Sequence, residues 1–306
     1  MGNKKVIAIV LAMTITAWGI TGKTNAEVAT LEFEFDTPSQ SQTMTSRGVT
    51  VNLRYDEQPN GEDWTDYIPT LTIRVDDQEV LRQTGDPSFM MYGLAQIAEM
   101  DPSNDFPEVI FSQYSGGAHC CAIVNIFTQN PETNAWETVN VGAFDGGPVP
   151  VADPDGNGIY EYVTSDNRFL YRYSSYAGSF PPVQVWQLEG LRVRDVSQEA
   201  RFFPLHRERL QAMWESIQNA ATEGYEVNGM LAGYVATKAI LGETQAGWNL
   251  MLNRYDRTSD WGLEECRGNF DDQGNCAGGL LTYDSFPAAL KEFLEATNYL
   301  TRAEIQ

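Results

Sequence analysis

The sequence predicts an α+β protein in which a β-rich N-terminal domain precedes a helical C-terminal region. Up to about residue 200, segments alternate apolar and polar residues as half-buried strands do, and clusters of Pro, Gly, Asn and Asp separate them. After Pro204 the apolar residues recur every three or four positions, which is the spacing of one helix face. We therefore place a β-rich domain at residues 27–200 and a helical domain at residues 201–306.

The N-terminus has the composition of a targeting segment. Lys4 and Lys5 precede an apolar run that starts at Val6, and small residues follow as far as Ala26. This order is typical of a secretory signal peptide, and the run is shorter than the roughly 20 residues that a transmembrane helix needs. We expect cleavage after residues 1–26, a secreted or periplasmic location, and no membrane span in the mature chain.

The net charge argues against one class of partner. The 306 residues include 42 Asp and Glu against 20 Lys and Arg, for a formal net charge of −22. A surface this acidic repels nucleic acid and attracts cations. We expect an unknown protein or carbohydrate ligand and no nucleic acid.

Three early segments carry the strand signal. Leu31–Phe35, Val49–Leu53 and Leu71–Val75 each alternate apolar with polar residues. Such strands fit repeated β units, arranged either as a propeller-like ring or as a sandwich.

The strongest chemical motif is the segment DPDGNGIYE. Oxygen-bearing side chains stand at alternate positions, namely Asp153, Asp155, Asn157 and Glu161, and the carbonyl of Ile159 falls between the last two. Calcium is a hard cation that takes six to eight oxygen ligands, and a tight loop can turn alternate residues toward one centre. The sequence therefore predicts a calcium site at these five residues, with an ordinary Asp/Gly turn as the alternative.

An upstream segment repeats this layout without glycines. Asp101, Asp105 and Glu108 precede an apolar strand, and the two leading Asp residues stand about fifty positions apart, a spacing compatible with repeated β units. Because the glycines are missing, we do not expect this copy to bind metal.

The loop and its surroundings resemble known sequences. DPDGNGIYE resembles the calcium loops of FG-GAP or integrin-α-type (VCBS-like) repeats, which implies a β-propeller and Asp153, Asp155, Asn157 and Glu161 as ligands. Two recognisable units do not close a ring of four to eight blades, so an open sandwich with the same loop is the alternative. The stretch from about residue 95 to 195, with its GGAHCC segment, is similar to a group of uncharacterised secreted bacterial proteins.

Four cysteines lie beyond the N-terminal segment. An exported protein favours disulfides, and Cys266 and Cys276 enclose a short loop whose closure would add roughly 3 kcal/mol. His119, Cys120 and Cys121 offer a second possibility, because two thiolates beside an imidazole suit copper or zinc and a bonded adjacent pair would suit a redox switch. Packing of these three residues in a strand is the structural alternative.

Catalytic motifs are scarce. His119 and His206 are the only histidines, and the chain lacks a Gly-x-Ser-x-Gly elbow, a His-Glu-x-x-His motif and a phosphate loop. We expect His206 to be exposed near a helix start, and we rank a hydrolase last among the functions. We assign no catalytic residue, and we favour a binding or structural protein over an enzyme.

An aromatic series follows the calcium motif. Phe169, Tyr171 and Tyr173 alternate along what reads as one strand, with Tyr176 nearby. Exposed rings would stack on sugars or peptides, but aromatic residues on a strand usually face the core. The sequence therefore predicts a strand with buried aromatic residues here.

The helical region shows one clear start. Leu210, Met213 and Ile217 lie at helical spacing, and Pro287 just after Ser285 is typical of the first turn of a helix.

Overall fold

Fourteen strands and four α-helices make up the part of the chain that the computed structural model describes, namely residues 28–34, 37, 39–61, 64–269, 271, 273 and 275–300. The strands are β1 (Ala29–Phe33), β2 (Ser41–Ser46), β3 (Val49–Asn60), β4 (Trp64–Val75), β5 (Gln78–Thr84), β6 (Gly93–Ala98), β7 (Glu108–Tyr114), β8 (Cys120–Gln129), β9 (Trp136–Asp145), β10 (Tyr162–Ser165), β11 (Val183–Glu189), β12 (Arg192–Asp195), β13 (Glu264–Cys266) and β14 (Leu280–Thr282). The helices are α1 (Phe203–Glu223), α2 (Asn228–Ile240), α3 (Thr244–Arg254) and α4 (Phe286–Ala296). The predicted signal peptide lies outside the described residues.

Two antiparallel sheets face each other in the N-terminal part. One has the order β2-β3-β4-β5 and the other β1-β6-β7-β8-β9. In β3 the apolar residues Val49, Val51 and Leu53 are fully buried between the sheets, whereas the residues between them are partly exposed. Strict alternation in the sequence thus reflects one covered face and one open face.

A third sheet covers the other face of the five-stranded sheet. Its order is β10-β11-β12, and Tyr162 and Leu188 from it pack against the five-stranded sheet. Every residue of β7 is consequently buried, with Phe111 in one core and Ile110 in the other. The β-rich part is a layered sandwich, one of the two architectures that the sequence allows.

The helical region has a core of its own. Helix α1 begins at Phe203, with Pro204 in its first turn. It ends at Glu223 and is followed by Gly224, whose φ of 74° is the left-handed conformation that suits glycine. Helix α4 follows Ser285, as predicted. The helical core is the largest apolar cluster in the described part of the chain, so the α+β order is confirmed.

The aromatic series belongs to this helical core and not to a strand. The segment forms a short 3-10 turn at Asn167–Phe169 followed by irregular turns, so the predicted strand is wrong. Phe169 and Tyr173 are buried among the helices, whereas Tyr171 is 49% exposed. Buried and exposed rings alternate here because the irregular segment turns every second ring into the helical core.

No helix within the described ranges is both long and apolar enough to cross a membrane.

Candidate functional site

The predicted calcium motif forms the tight connection between β9 and β10. The carboxylate of Asp153 accepts hydrogen bonds from the backbone N–H groups of Asn157 (3.0 Å) and Gly158 (2.9 Å), and Asp155 accepts from the same Asn157 N–H (3.1 Å). Gly156 and Gly158 have φ values of 73° and 88°, which side-chain-bearing residues rarely adopt. The spacing Asp-x-Asp-Gly-Asn-Gly therefore winds the chain so that two carboxylates point inward.

Glu161 is the last residue of the loop and pairs with the residue just before the loop. Its backbone exchanges two hydrogen bonds with Ala152 (2.7 and 3.0 Å), and its side chain is fully buried. One carboxylate oxygen lies 3.5 Å from the guanidinium of Arg201, and the other, Oε2, has no hydrogen-bond partner. Burial, together with the nearby negative charge of Asp155, raises the pKa of Glu161 to about 8.

Arg201 faces this loop from the turn that leads into α1. Its Nη1 lies 3.0 Å from Asp155, its Nε 2.9 Å from Glu199, and its Nη2 donates to Gln187 at 2.8 Å. The sequence analysis did not anticipate this residue, since a pairing between positions 155 and 201 leaves no local pattern. One guanidinium thus partly balances the acidic loop.

In the upstream copy of the motif, the closing glutamate has hydrogen-bond partners within the protein. The buried carboxylate of Glu108 accepts four hydrogen bonds, from Met100 N (2.7 Å), Asp101 N (3.1 Å), Asn104 Nδ2 (2.8 Å) and Thr128 Oγ1 (3.0 Å). Both carboxylate oxygens of Glu108 therefore have hydrogen-bond donors. The two copies therefore differ in whether the closing glutamate has partners.

The predicted calcium ligands share one loop, but they do not surround one point. Among the described residues, no group of three or more His, Cys, Asp or Glu side chains is gathered closely enough to hold a metal ion. The side-chain oxygen of Asn157 accepts the N–H of Ile159 at 2.7 Å, so it is already engaged within the loop. Metal binding here would require small rotations of the carboxylates and withdrawal of Arg201.

The GGAHCC segment makes the turn between β7 and β8. Cys120 and Cys121 are joined by a disulfide and a cis peptide bond, and Cys121 N donates to Ser115 Oγ at 2.8 Å. A Cβ on Gly117 would meet the carbonyl oxygen of Cys120, which explains the glycine. His119 is exposed and stacks on Tyr176. In this form the two sulfurs are bonded to each other and not present as thiolates.

His206 is buried, so its expected exposure is wrong. Its Nε2 lies 2.6 Å from the carbonyl oxygen of Ser197, and its Nδ1 has no partner. Burial lowers the pKa of this imidazole. A position near a helix start did not predict burial, because the contact with Ser197 comes from the segment before the helix.

Cys266 and Cys276 are joined to each other, which is the pairing that the sequence favours. Cys266 lies in β13, which pairs with β14 within the helical region. The bond closes the loop between these two short strands.

Comparison with known proteins gives two relatives and one family model. The model described as the sll0997 C-terminal domain matches residues 206–298, which correspond to most of the helical region. The chain is 42% identical over 265 residues to the probable thylakoid lumen protein sll0997 of Synechocystis sp. (strain ATCC 27184 / PCC 6803 / Kazusa), covering 87% of this chain and 77% of that protein.

A second relative is much longer. The chain is 31% identical over 236 residues to the uncharacterized protein y4bJ of Sinorhizobium fredii (strain NBRC 101917 / NGR234), covering 76% of this chain but 37% of that protein. No solved structure matches the chain. The extent of the first match shows that the chain belongs to the sll0997 family.

Proposed function

We propose that this chain is an exported binding or structural protein whose β-rich part is stabilised by one calcium ion in the Asp153–Glu161 loop. The observation that carries the proposal is Glu161, a fully buried acid with one unpartnered oxygen behind the carboxylates of Asp153 and Asp155. Burying an unpartnered carboxylate is costly, and a divalent cation would remove that cost.

The upstream copy supplies an internal comparison. Glu108 occupies the equivalent closing position and accepts four hydrogen bonds, so it needs no cation. Glu161 has only the single contact with Arg201. Even with Glu161 protonated, as its pKa of about 8 implies at neutral pH, Asp153 and Asp155 carry more charge than the one guanidinium, which favours binding of a hard cation to oxygen ligands.

Calcium would be held by side-chain oxygens of Asp153, Asp155, Asn157 and Glu161 and by the carbonyl oxygen of Ile159. The resemblance to FG-GAP-type loops supports the four side-chain ligands, and the spacing of the loop adds the carbonyl of Ile159. Bound calcium would stabilise the connection between β9 and β10, and so the packing of the third sheet on the second.

Three observations support export. The N-terminal residues have the composition of a signal peptide, and a relative is named a probable thylakoid lumen protein. Disulfides at Cys120–Cys121 and Cys266–Cys276 favour an oxidising compartment. We propose a secreted or periplasmic location, or its equivalent in a lumen.

Thermal unfolding of the chain without residues 1–26 tests the calcium site. A ligand at 100 times its Kd stabilises the native state by about 2.7 kcal/mol, so we expect calcium to raise the Tm by roughly 5 °C relative to EDTA. Asp155→Asn and Glu161→Gln should each abolish this shift. Asp105→Asn, which alters an exposed carboxylate in the upstream copy, should keep it.

Two results would overturn the calcium proposal. The first is an unchanged Tm of the unsubstituted chain in calcium. The second is a calcium shift that persists in both loop variants, since it would arise from the acidic surface as a whole.

A second candidate function is redox chemistry or soft-metal binding at His119, Cys120 and Cys121. It is favoured by the exposure of Cys120 and His119 beside each other. A thiol reductant would convert the disulfide to two thiols, each gaining one electron and one proton. Thiol counting before and after reduction, followed by titration with copper or zinc, tests this function. A reduced chain that binds neither metal would contradict the soft-metal form.

A further inference from the structure

Three rings contact one another beside the disulfide turn, and a fourth is hydrogen-bonded to the backbone of one of them. His119 stacks on Tyr176 with ring centroids 4.2 Å apart and planes 15° apart, and Tyr176 contacts Tyr171 at 5.6 Å. Trp261, from the loop after α3, joins Tyr171 through a hydrogen bond. We call these four residues the aromatic platform.

The platform is exposed although its rings are large. Tyr171 is 49% exposed and Trp261 40% exposed. Neighbouring apolar rings that stay exposed to water after folding are typical of surfaces that bind a ligand or a partner. Tyr171 also has a φ of 56°, a left-handed conformation that is uncommon for a bulky residue, and such conformations persist where the surrounding structure enforces them.

Hydrogen bonds fix the platform in place. The indole N–H of Trp261 donates to the carbonyl oxygen of Tyr171 at 2.9 Å, and the hydroxyl of Tyr176 donates to the carboxylate of Asp145. The backbone N–H of Gly146 donates to the carbonyl oxygen of His119 at 2.8 Å. A binding surface that is rigid before contact loses less entropy on binding.

The hydrogen-bonding groups at the platform select among ligands. A peptide needs donors for its backbone carbonyls, but the indole N–H of Trp261 and the hydroxyl of Tyr176 are already used within the protein. The carboxylate of Asp145 accepts the Tyr176 hydroxyl and has lone pairs for further donors, and sugar hydroxyls are donors. The net charge of −22 disfavours an anionic ligand.

We propose that the aromatic platform binds a neutral oligosaccharide. The apolar C–H faces of pyranose rings would stack on Tyr171 and Trp261, and ring hydroxyls would donate to Asp145. This proposal deepens the binding role proposed above by naming its site and ligand class, and it rests on that role.

Binding of labelled neutral hexasaccharides provides the test. Hexamers of α-1,4-glucose, β-1,4-glucose, β-1,4-mannose and β-1,4-N-acetylglucosamine are titrated into the chain lacking residues 1–26. We expect at least one to bind, with Tyr171→Ala and Trp261→Ala each weakening it at least tenfold. Trp64→Ala removes a more exposed tryptophan at the tip of the β3–β4 hairpin and should change the affinity less than twofold.

Three outcomes would overturn the platform proposal. They are absence of binding to every hexamer, equal binding by the platform variants, and a concentration-dependent dimer that Tyr171→Ala abolishes, because a second copy would then cover the rings. An unchanged Tm shows that each variant is folded. The two proposals fail in different measurements: the calcium proposal fails if calcium leaves the Tm unchanged, and the platform proposal fails if no hexamer binds. Repeating the titration in EDTA shows whether hexamer binding depends on calcium.

Discussion

Because His206 is buried, its protonation affects the free energy of unfolding. The imidazole lies under the backbone of Ser197 with Asp195 as the charged neighbour, and burial lowers its pKa. Because the pKa is higher in the unfolded chain, at about 6.5, the unfolded state binds more protons below that value. Stability from this residue is therefore present above pH 6.5 and is lost as the pH falls toward the folded pKa.

Denaturant unfolding at pH 7.5 and pH 5.5 checks this expectation at the residue scale. The His206 contribution should lower the free energy of unfolding by up to about 1.4 kcal/mol per pH unit in the titrating range. Glu161, whose pKa is raised to about 8, contributes in the opposite direction over the same range, so His206→Gln should lose the first contribution and keep the second. His119→Gln, at the other, exposed histidine, should retain the full pH dependence. An equal fall in both variants would mean that carboxylates, and not His206, set the acid sensitivity.

At the scale of elements, Arg201 couples the acidic loop to the start of α1. It lies in the 3-10 turn Ala200–Phe202, and its guanidinium contacts both Asp155 and the ring of Phe202, which is fully buried. Removing this cation leaves the buried Glu161 without its one charged contact. The loss of a partner from a buried acceptor costs about 1–3 kcal/mol.

Arg201→Gln therefore distinguishes two ways of compensating the negative charge of the loop, by Arg201 and by calcium. In EDTA the variant should unfold at a lower temperature than the unsubstituted chain, and in calcium most of that loss should be recovered. The calcium-induced rise in Tm would then be larger in the variant, which differential scanning calorimetry measures directly. Arg54→Gln is the control, since this exposed residue of β3 pairs with Asp56 and shares no partner with Arg201. A smaller calcium shift in Arg201→Gln would indicate that Arg201 helps calcium to bind.

Elements determined by neighbouring residues in the sequence could be predicted, whereas features that depend on contacts between distant residues could not. The strand around Val51 and the start of α4 after Ser285 follow from local spacing, so the sequence shows them. Phe169 and Tyr173 alternate for a non-local reason, because helices later in the chain bury them. The contact between Arg201 and Asp155 is equally non-local, and therefore the sequence identified the acidic loop but not its counter-charge.

At the scale of the whole molecule, the segment between β10 and β11 ties the two parts together. Phe169 and Tyr173 from this segment lie in the helical core, whereas the adjoining three-stranded sheet packs on the β-rich part. Val185 on the opposite face of that sheet packs against Phe202, immediately before α1. The helical region consequently depends on residues outside the span that the sll0997 C-terminal domain covers.

Phe169→Ala tests this dependence in the full chain without residues 1–26. Truncating a buried phenylalanine costs about 3–5 kcal/mol, and the ring contacts both Phe293 and Tyr299. Hydrogen exchange followed by mass spectrometry should show protection falling together in α1–α4 and in β10–β12, because one anchored segment serves both. Tyr225→Ala, which truncates a ring that is 71% exposed, should leave protection unchanged. If the helices lost protection while β10–β12 kept theirs, the helical region would unfold independently and the segment would be only a linker.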